Sequence, residues 1–199
     1  YEVKLILGKK TTTYDLEGEV VSEKDVSHIK EEEAMDVVLS FIGEIDQIPP
    51  MYSALKKNGV RLYDLARQGI EVEREARRIT IHDITDIKIE LPYISMTVCC
   101  SKGTYIRSLC YDIGEKLNVF ATMTDLKRFK TSFFCEEDSI NINDLKEENI
   151  KEKLISIEDA LKNYPKIYIE KGYTKLIVNG VRVGDKRFTK DLVENNVLY

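Results

Sequence analysis

Apolar residues alternate from the first position of the chain. Val3, Leu5 and Leu7 fall on one side, the period of a half-buried strand. A polar turn follows, then a short strand over 18–21. Ala34, Val37, Val38, Phe41 and Ile42 recur at helical spacing, and Gly43 offers the stop. Ile48-Pro49-Pro50 cannot continue a helix, because proline lacks the N–H and restricts the residue before it. Residues 51–58 read as a loop or a short extended piece. Leu62, Leu65 and Ala66 predict a short helix ending near Gly69.

Two β-rich runs come next. Ile79 and Ile81 alternate, as do Ile87, Ile89 and Leu91, so this arm reads as long and bent. Ile94, Met96, Val98 and Cys100 form one face of the second run, with Pro92 marking the turn between them. After Gly103, the stripe Ile106, Leu109, Cys110, Ile113 and Leu117 predicts an amphipathic helix. A strand is expected around 131–136. Residues 136–159 are acidic, helix-forming and connector-like. From about Pro165 the chain turns basic and β-like, with a turn at Asn179-Gly180. The pattern ends in the strand-like run Val197-Leu198-Tyr199 with no closing element.

A chain of 199 residues can form one large domain, or one domain plus a small module. The expected division is 1–160 and 161–199. No apolar run approaches the roughly 18 residues of a membrane span. No signal sequence is visible, but a chain that opens inside a strand at Tyr1 reads as a piece of a longer protein. The four cysteines lack C-x-x-C spacing, and His28 and His82 are the only histidines. Reduced, mostly buried thiols of a cytosolic protein fit better than a zinc site.

The net charge of −5 argues against nucleic acid, but its distribution argues the other way. Residues 15–46 hold eleven acids and two bases, and residues 136–159 nine and three. The bases gather elsewhere: seven against four acids over 56–78, six against three over 102–130, and eight against two over 162–190. These stretches could form one phosphate-facing surface, or each could be a solvated face. SKGTYIRSL at 101–109 carries the most chemistry. It puts Lys102, Tyr105 and Arg107 at the mouth of one helix: a cation, an aromatic ring and a guanidinium. An RNA-modifying site needs such groups to hold phosphate, stack a displaced base and pair with an acid.

Several stretches together resemble bacterial TruB-type tRNA pseudouridine synthases, in order and over nearly the whole chain. Tyr1 opens a strand like that family's tyrosine strand. L-G-x-x-T-x-T-x-D-x-E-G follows at Leu7–Gly18, then PPMYSALKKNGVRLYDLARQG at 49–69, SKGTYIRSL at 101–109 and Leu126-Lys127-Arg128. Thr12 stands where aspartate is more usual. The family's catalytic aspartate lies in a G-x-L-D-P-x-A-T-G-like segment before the tyrosine strand, and residues 1–199 contain none. Asp15, Asp64 and Asp112 do not match that segment. The resemblance therefore implies a catalytic aspartate upstream and a chain, cut at both ends, that is inactive alone.

The resemblance further implies an α+β fold: a curved, mainly antiparallel mixed sheet with flanking helices, then a partial PUA-like β module from about 165, with Tyr168, Tyr173 and bases through Lys190 gripping tRNA. The implied reaction is isomerisation of uridine 55 in the tRNA T-loop, with the base flipped out of its stack. It needs no cofactor or metal. Tyr1 packs against the base, and Arg107 pairs with the absent aspartate. Tyr105 and Leu126 wall the pocket. Lys56, Lys57, Lys102 and Arg128 hold the RNA backbone. Asp15 either caps a turn or touches RNA, while Tyr52 and Tyr63 brace the loop. The implied partner is the tRNA T-arm, engaged in the cytoplasm by a monomer, without membrane, guide RNA or obligate protein partner. Two rivals stay open: an RNA-binding or RNA-folding protein without the chemistry, and a guide-RNA-dependent synthase.

Overall fold

The computed structural model describes residues 1–164 and 171–180. The chain divides into two compact units, Tyr1–Ser139 and Ile140–Tyr199.

In the first unit the alternation of the opening residues becomes strand β1 (Glu2–Leu7), with Val3, Leu5 and Leu7 buried. β2 (Lys9–Thr11) and β3 (Val20–Glu23) form a small hairpin. Helix α1 (Glu31–Leu39) buries Ala34 and Val38. β4 (Gly43–Gln47) then leads into the proline pair. A second small hairpin, β5 (Lys56–Lys57) and β6 (Val60–Arg61), turns through Asn58 and Gly59. Both turn residues have positive φ, 53° and 83°, as a type I′ turn requires. Helix α2 (Leu62–Arg67) follows directly.

The long arm is β7 (Arg77–Glu90), whose register against β8 (Tyr93–Cys100) shifts twice. Such bulges bend a strand, as its length and pattern predict. Helix α3 (Ile106–Lys116) buries the expected stripe. β9 (Ala121–Lys127) returns to pair with β1. These elements make a five-stranded sheet in the order β4-β7-β8-β1-β9, antiparallel throughout. One face carries α1 and α3 and a continuous apolar core that includes Leu5, Ile81, Ile94, Leu109 and Ile113. The other face is polar and open.

Three differences from the sequence expectations stand out. The strand expected at 131–136 is instead two short strands, β10 (Lys130–Thr131) and β11 (Phe134–Cys135). The long neighbouring strand is β9, whose buried half, Ala121-Thr122-Met123, is too small and polar to stand out. β4 sits at the sheet edge, so its outward positions are charged and its apolar signal is weak. Cys110 is the one fully buried cysteine; Cys99 is exposed, and all four are free.

In the second unit the acidic stretch forms only short pieces: 3-10 turns at Glu136–Asp138, which closes the first unit, and at Ile142–Asp144, then α4 (Ile150–Lys153) and α5 (Ile157–Ala160). Residues expected to be β-like form helix α6 (Thr174–Val178). It closes at Gly180 in the left-handed region (φ 69°), where the expected turn lies. Tyr168 and Lys190, and most of the expected PUA-like module, fall outside the described residues. Among the described residues, no helix is long and apolar enough to cross a membrane.

Candidate active site

Arg107 lies in the first turn of α3, where the helix dipole disfavours a cation. Specific partners hold it there. Its Nη1 donates to Asp15 Oδ2 at 2.9 Å and to the Thr13 carbonyl at 3.1 Å. Its Nη2 donates to the Tyr52 carbonyl at 2.7 Å. The Arg107 and Asp15 side chains are 24% and 16% exposed, so solvent screens this pair less than a surface bridge. Asp15 also caps its own turn, accepting from the Thr13 hydroxyl and from the Glu17 N–H at 3.1 Å. It is thus a turn cap, as one expectation had it, and also the carboxylate partner of Arg107.

The 11–18 loop is pinned to the sheet. Tyr14 has φ 65°, unusual for a bulky residue. Its carbonyl accepts from the Met123 N–H at 2.9 Å, and its ring stacks on Tyr111 at 4.3 Å between centroids. Burial pushes the Tyr14 and Tyr111 hydroxyls above their ordinary pKa. On α3, burial and then the charge of Glu115 raise Asp112 to about 7.

A second set of ties joins the end of β4 to α3. Gln47 is 1% exposed. Its Oε1 accepts from the Tyr105 N–H at 2.8 Å, and its Nε2 donates to the Tyr105 carbonyl at 3.1 Å. The Ser108 hydroxyl donates to the Ile48 carbonyl at 3.0 Å. With the bond from Arg107 to Tyr52, residues 47–52 form a strap across the start of α3. Neither Gln47 nor Ser108 figures among the sequence candidates. One signal existed: Gly43, Ile45 and Gln47 share one phase of β4, so Gln47 points inward with Ile45.

Tyr1 and Val98 exchange backbone bonds, and the half-buried Tyr1 ring packs against the core with Arg128 at 6.0 Å. Leu126 pairs with Val3 across β9 and β1 and is 39% exposed, so it lies outside the core. Tyr105 stands at the start of α3. Lys102 is exposed in the turn before α3, beside Gly103 at φ 86°. Lys56 and Lys57 are exposed on the β5–β6 hairpin and line a groove of about 390 Å³ with Arg74 and Arg77. Tyr63 braces that hairpin: its hydroxyl accepts from Arg61, and Arg67 covers its ring. A larger groove, about 490 Å³, lies on the open sheet face. Its charges alternate (Glu2, Lys4, Asp125, Lys127), so it offers phosphate no net attraction. Among the described residues, no group of three or more His, Cys, Asp or Glu could hold a metal.

Matches to two family models place the chain among pseudouridylate synthases. Residues 1–106 match the model of the TruB family pseudouridylate synthase N-terminal domain, and residues 107–164 that of the tRNA pseudouridylate synthase B C-terminal domain. The tRNA pseudouridine synthase B of Clostridium perfringens strain 13 is 60% identical over 200 residues, spanning 100% of this chain and 68% of that protein. That of Clostridium tetani is 54% identical over 198 residues, with the same coverage. A solved Cbf5-Nop10-Gar1 complex contains a chain with TM-score 0.60 and 25% identity, covering 90% of this chain and 49% of that one. The chain belongs to the TruB family.

Proposed function

We propose that this protein isomerises uridine 55 in the T-loop of tRNA to pseudouridine. The N1–C1′ bond breaks, the uracil turns, and C5 joins C1′; the proton that leaves C5 is balanced by one gained at N1. The observation that carries this is the fixed Arg107, held at the meeting point of the 11–18 loop, the 47–52 strap and the start of α3. A guanidinium has five N–H donors, and three bonds are made to described residues. The others serve the catalytic aspartate, which belongs to the segment preceding Tyr1; a bidentate arginine keeps such a carboxylate ionised and oriented. Asp15 is its resident partner inside the chain and sits beside the RNA.

Tyr1 packs on the flipped base, with Tyr105 and Leu126 walling its pocket. Lys56, Lys57, Lys102 and Arg128 take the RNA backbone. The module at 161–199 adds grip on the tRNA. The protein acts on bare tRNA as a cytoplasmic monomer, without guide RNA, obligate protein partner, metal or cofactor. The test is Arg107→Ala in the protein carrying the residues that precede Tyr1. The expected variant binds a T-arm hairpin with near-native affinity and loses nearly all turnover. Turnover near the unmodified level would end this role for Arg107.

A further inference from the structure

Three residues at the start of α3 are tied to the 47–52 strap: Tyr105, just before the helix, to Gln47, and Arg107 and Ser108, in its first turn, to Tyr52 and Ile48. Gln47 differs from the other two ties, because its amide uses a donor and an acceptor on one peptide-bearing residue. A helix start needs partners for its first N–H groups, and these usually come from the side chain just before the helix. Tyr105 holds that place and makes no side-chain cap. Gln47, from another element and a fully buried position, instead holds the Tyr105 backbone itself, accepting from its N–H and donating to its carbonyl.

A buried glutamine costs stability unless its amide is satisfied. Its inward phase on β4 would suit leucine or methionine for packing alone. What only the amide provides is control of where the Tyr105 backbone sits, and Arg107 follows two residues later. We infer that Gln47 is a positioning residue for the uridine-isomerising site: it sets the first turn of α3 so that the Tyr105 ring and the Arg107 guanidinium hold their places. This rests on the isomerase reading above.

The test uses the protein that carries the residues preceding Tyr1, with a T-arm RNA hairpin. Gln47→Met keeps the length and apolar volume of the side chain and removes both bonds. Three quantities are read: the single-turnover rate at saturating hairpin, the hairpin Kd and the melting temperature. The expected rate falls about ten-fold or more, since misplacement near 1 Å can cost a hundred-fold. The Kd stays within about three-fold, because phosphate contacts dominate affinity. Ser108→Ala, which opens only the Ile48 tie, is expected to slow the rate by about three-fold on the same ground.

A folded Gln47→Met protein with an unchanged rate would overturn the inference, as would equal losses of rate and affinity. If Gln47→Met is unfolded at the assay temperature, Gln47→Glu decides, since it keeps an acceptor for the Tyr105 N–H and removes the donor to the Tyr105 carbonyl: an unchanged rate overturns the inference, and a slowed one with native Kd supports it. An unmodified protein that forms no pseudouridine would remove the isomerase reading, and this inference with it.

Discussion

Gly114 sits on the buried side of α3, where the helix crosses the start of β9. A Cβ placed there would overlap the Ala121 backbone nitrogen and lie 2.6 Å from the Phe120 carbonyl carbon and 2.7 Å from the Ala121 Cβ. Two effects of Gly114→Ala oppose each other. Alanine is the better helix former by about 1 kcal/mol. Against this, opening the Phe120 contact from 2.6 Å to an ordinary 3.4 Å requires a movement of 0.8 Å. The obstacle is backbone, which cannot rotate away as a side-chain tip would. Overpacking of this kind costs about 1–3 kcal/mol, and a backbone obstacle belongs at the upper end. The strain wins, leaving a net loss of about 2 kcal/mol. Urea unfolding followed by far-UV circular dichroism reads this directly: the midpoint should fall with the slope unchanged. A variant as stable as the parent, or more stable, would show that the α3–β9 approach is looser than described. Because α3 carries Arg107, the same shift should also slow turnover in the protein that includes the upstream segment.

Other perturbations reach different parts of the molecule. Lys56→Ala with Lys57→Ala should weaken T-arm binding, and the slope of log affinity against log salt should fall by about two, one for each lost phosphate contact; an unchanged slope would remove the hairpin from the RNA surface. Asp112→Asn should raise the melting temperature at pH 8 and leave it unchanged at pH 4. The folded-state value of about 7 lies above the unfolded carboxyl value, so the folded protein binds the extra proton and the native aspartate loses stability as pH rises between the two. Equal melting temperatures at both pH values would refute that environment.

Much of the fold was legible where one periodicity dominated. β1, β8 and α3 bury nearly the residues their spacing marks, because each presents one apolar face to a single core. β4 and β9 were not legible. β4 lies at an edge with charged outward positions, and β9 is buried over three residues only, one of them a threonine. The site divided in the same way. Arg107 and Tyr105 stood out as candidates because they share a helix mouth with Lys102, and Lys56 and Lys57 because their segment resembles the family's. Asp15 was visible, but its pairing with Arg107 spans 92 positions and no local pattern reports it. Gln47 was hidden because a neutral amide in a short edge strand reads as surface. Only its burial and its two bonds to Tyr105 reveal its place.

The measurement that bears most directly on the proposed chemistry is pseudouridine formation, mapped by position on a full-length tRNA. It should be run with residues 1–199 alone and with the protein carrying the residues that precede Tyr1. The longer protein should convert uridine 55 without guide RNA or added metal, while residues 1–199 alone should bind the T-arm and leave the uridine unchanged. Conversion by residues 1–199 alone would place the catalytic carboxylate within this chain. No conversion by the longer protein would contradict the isomerase assignment itself.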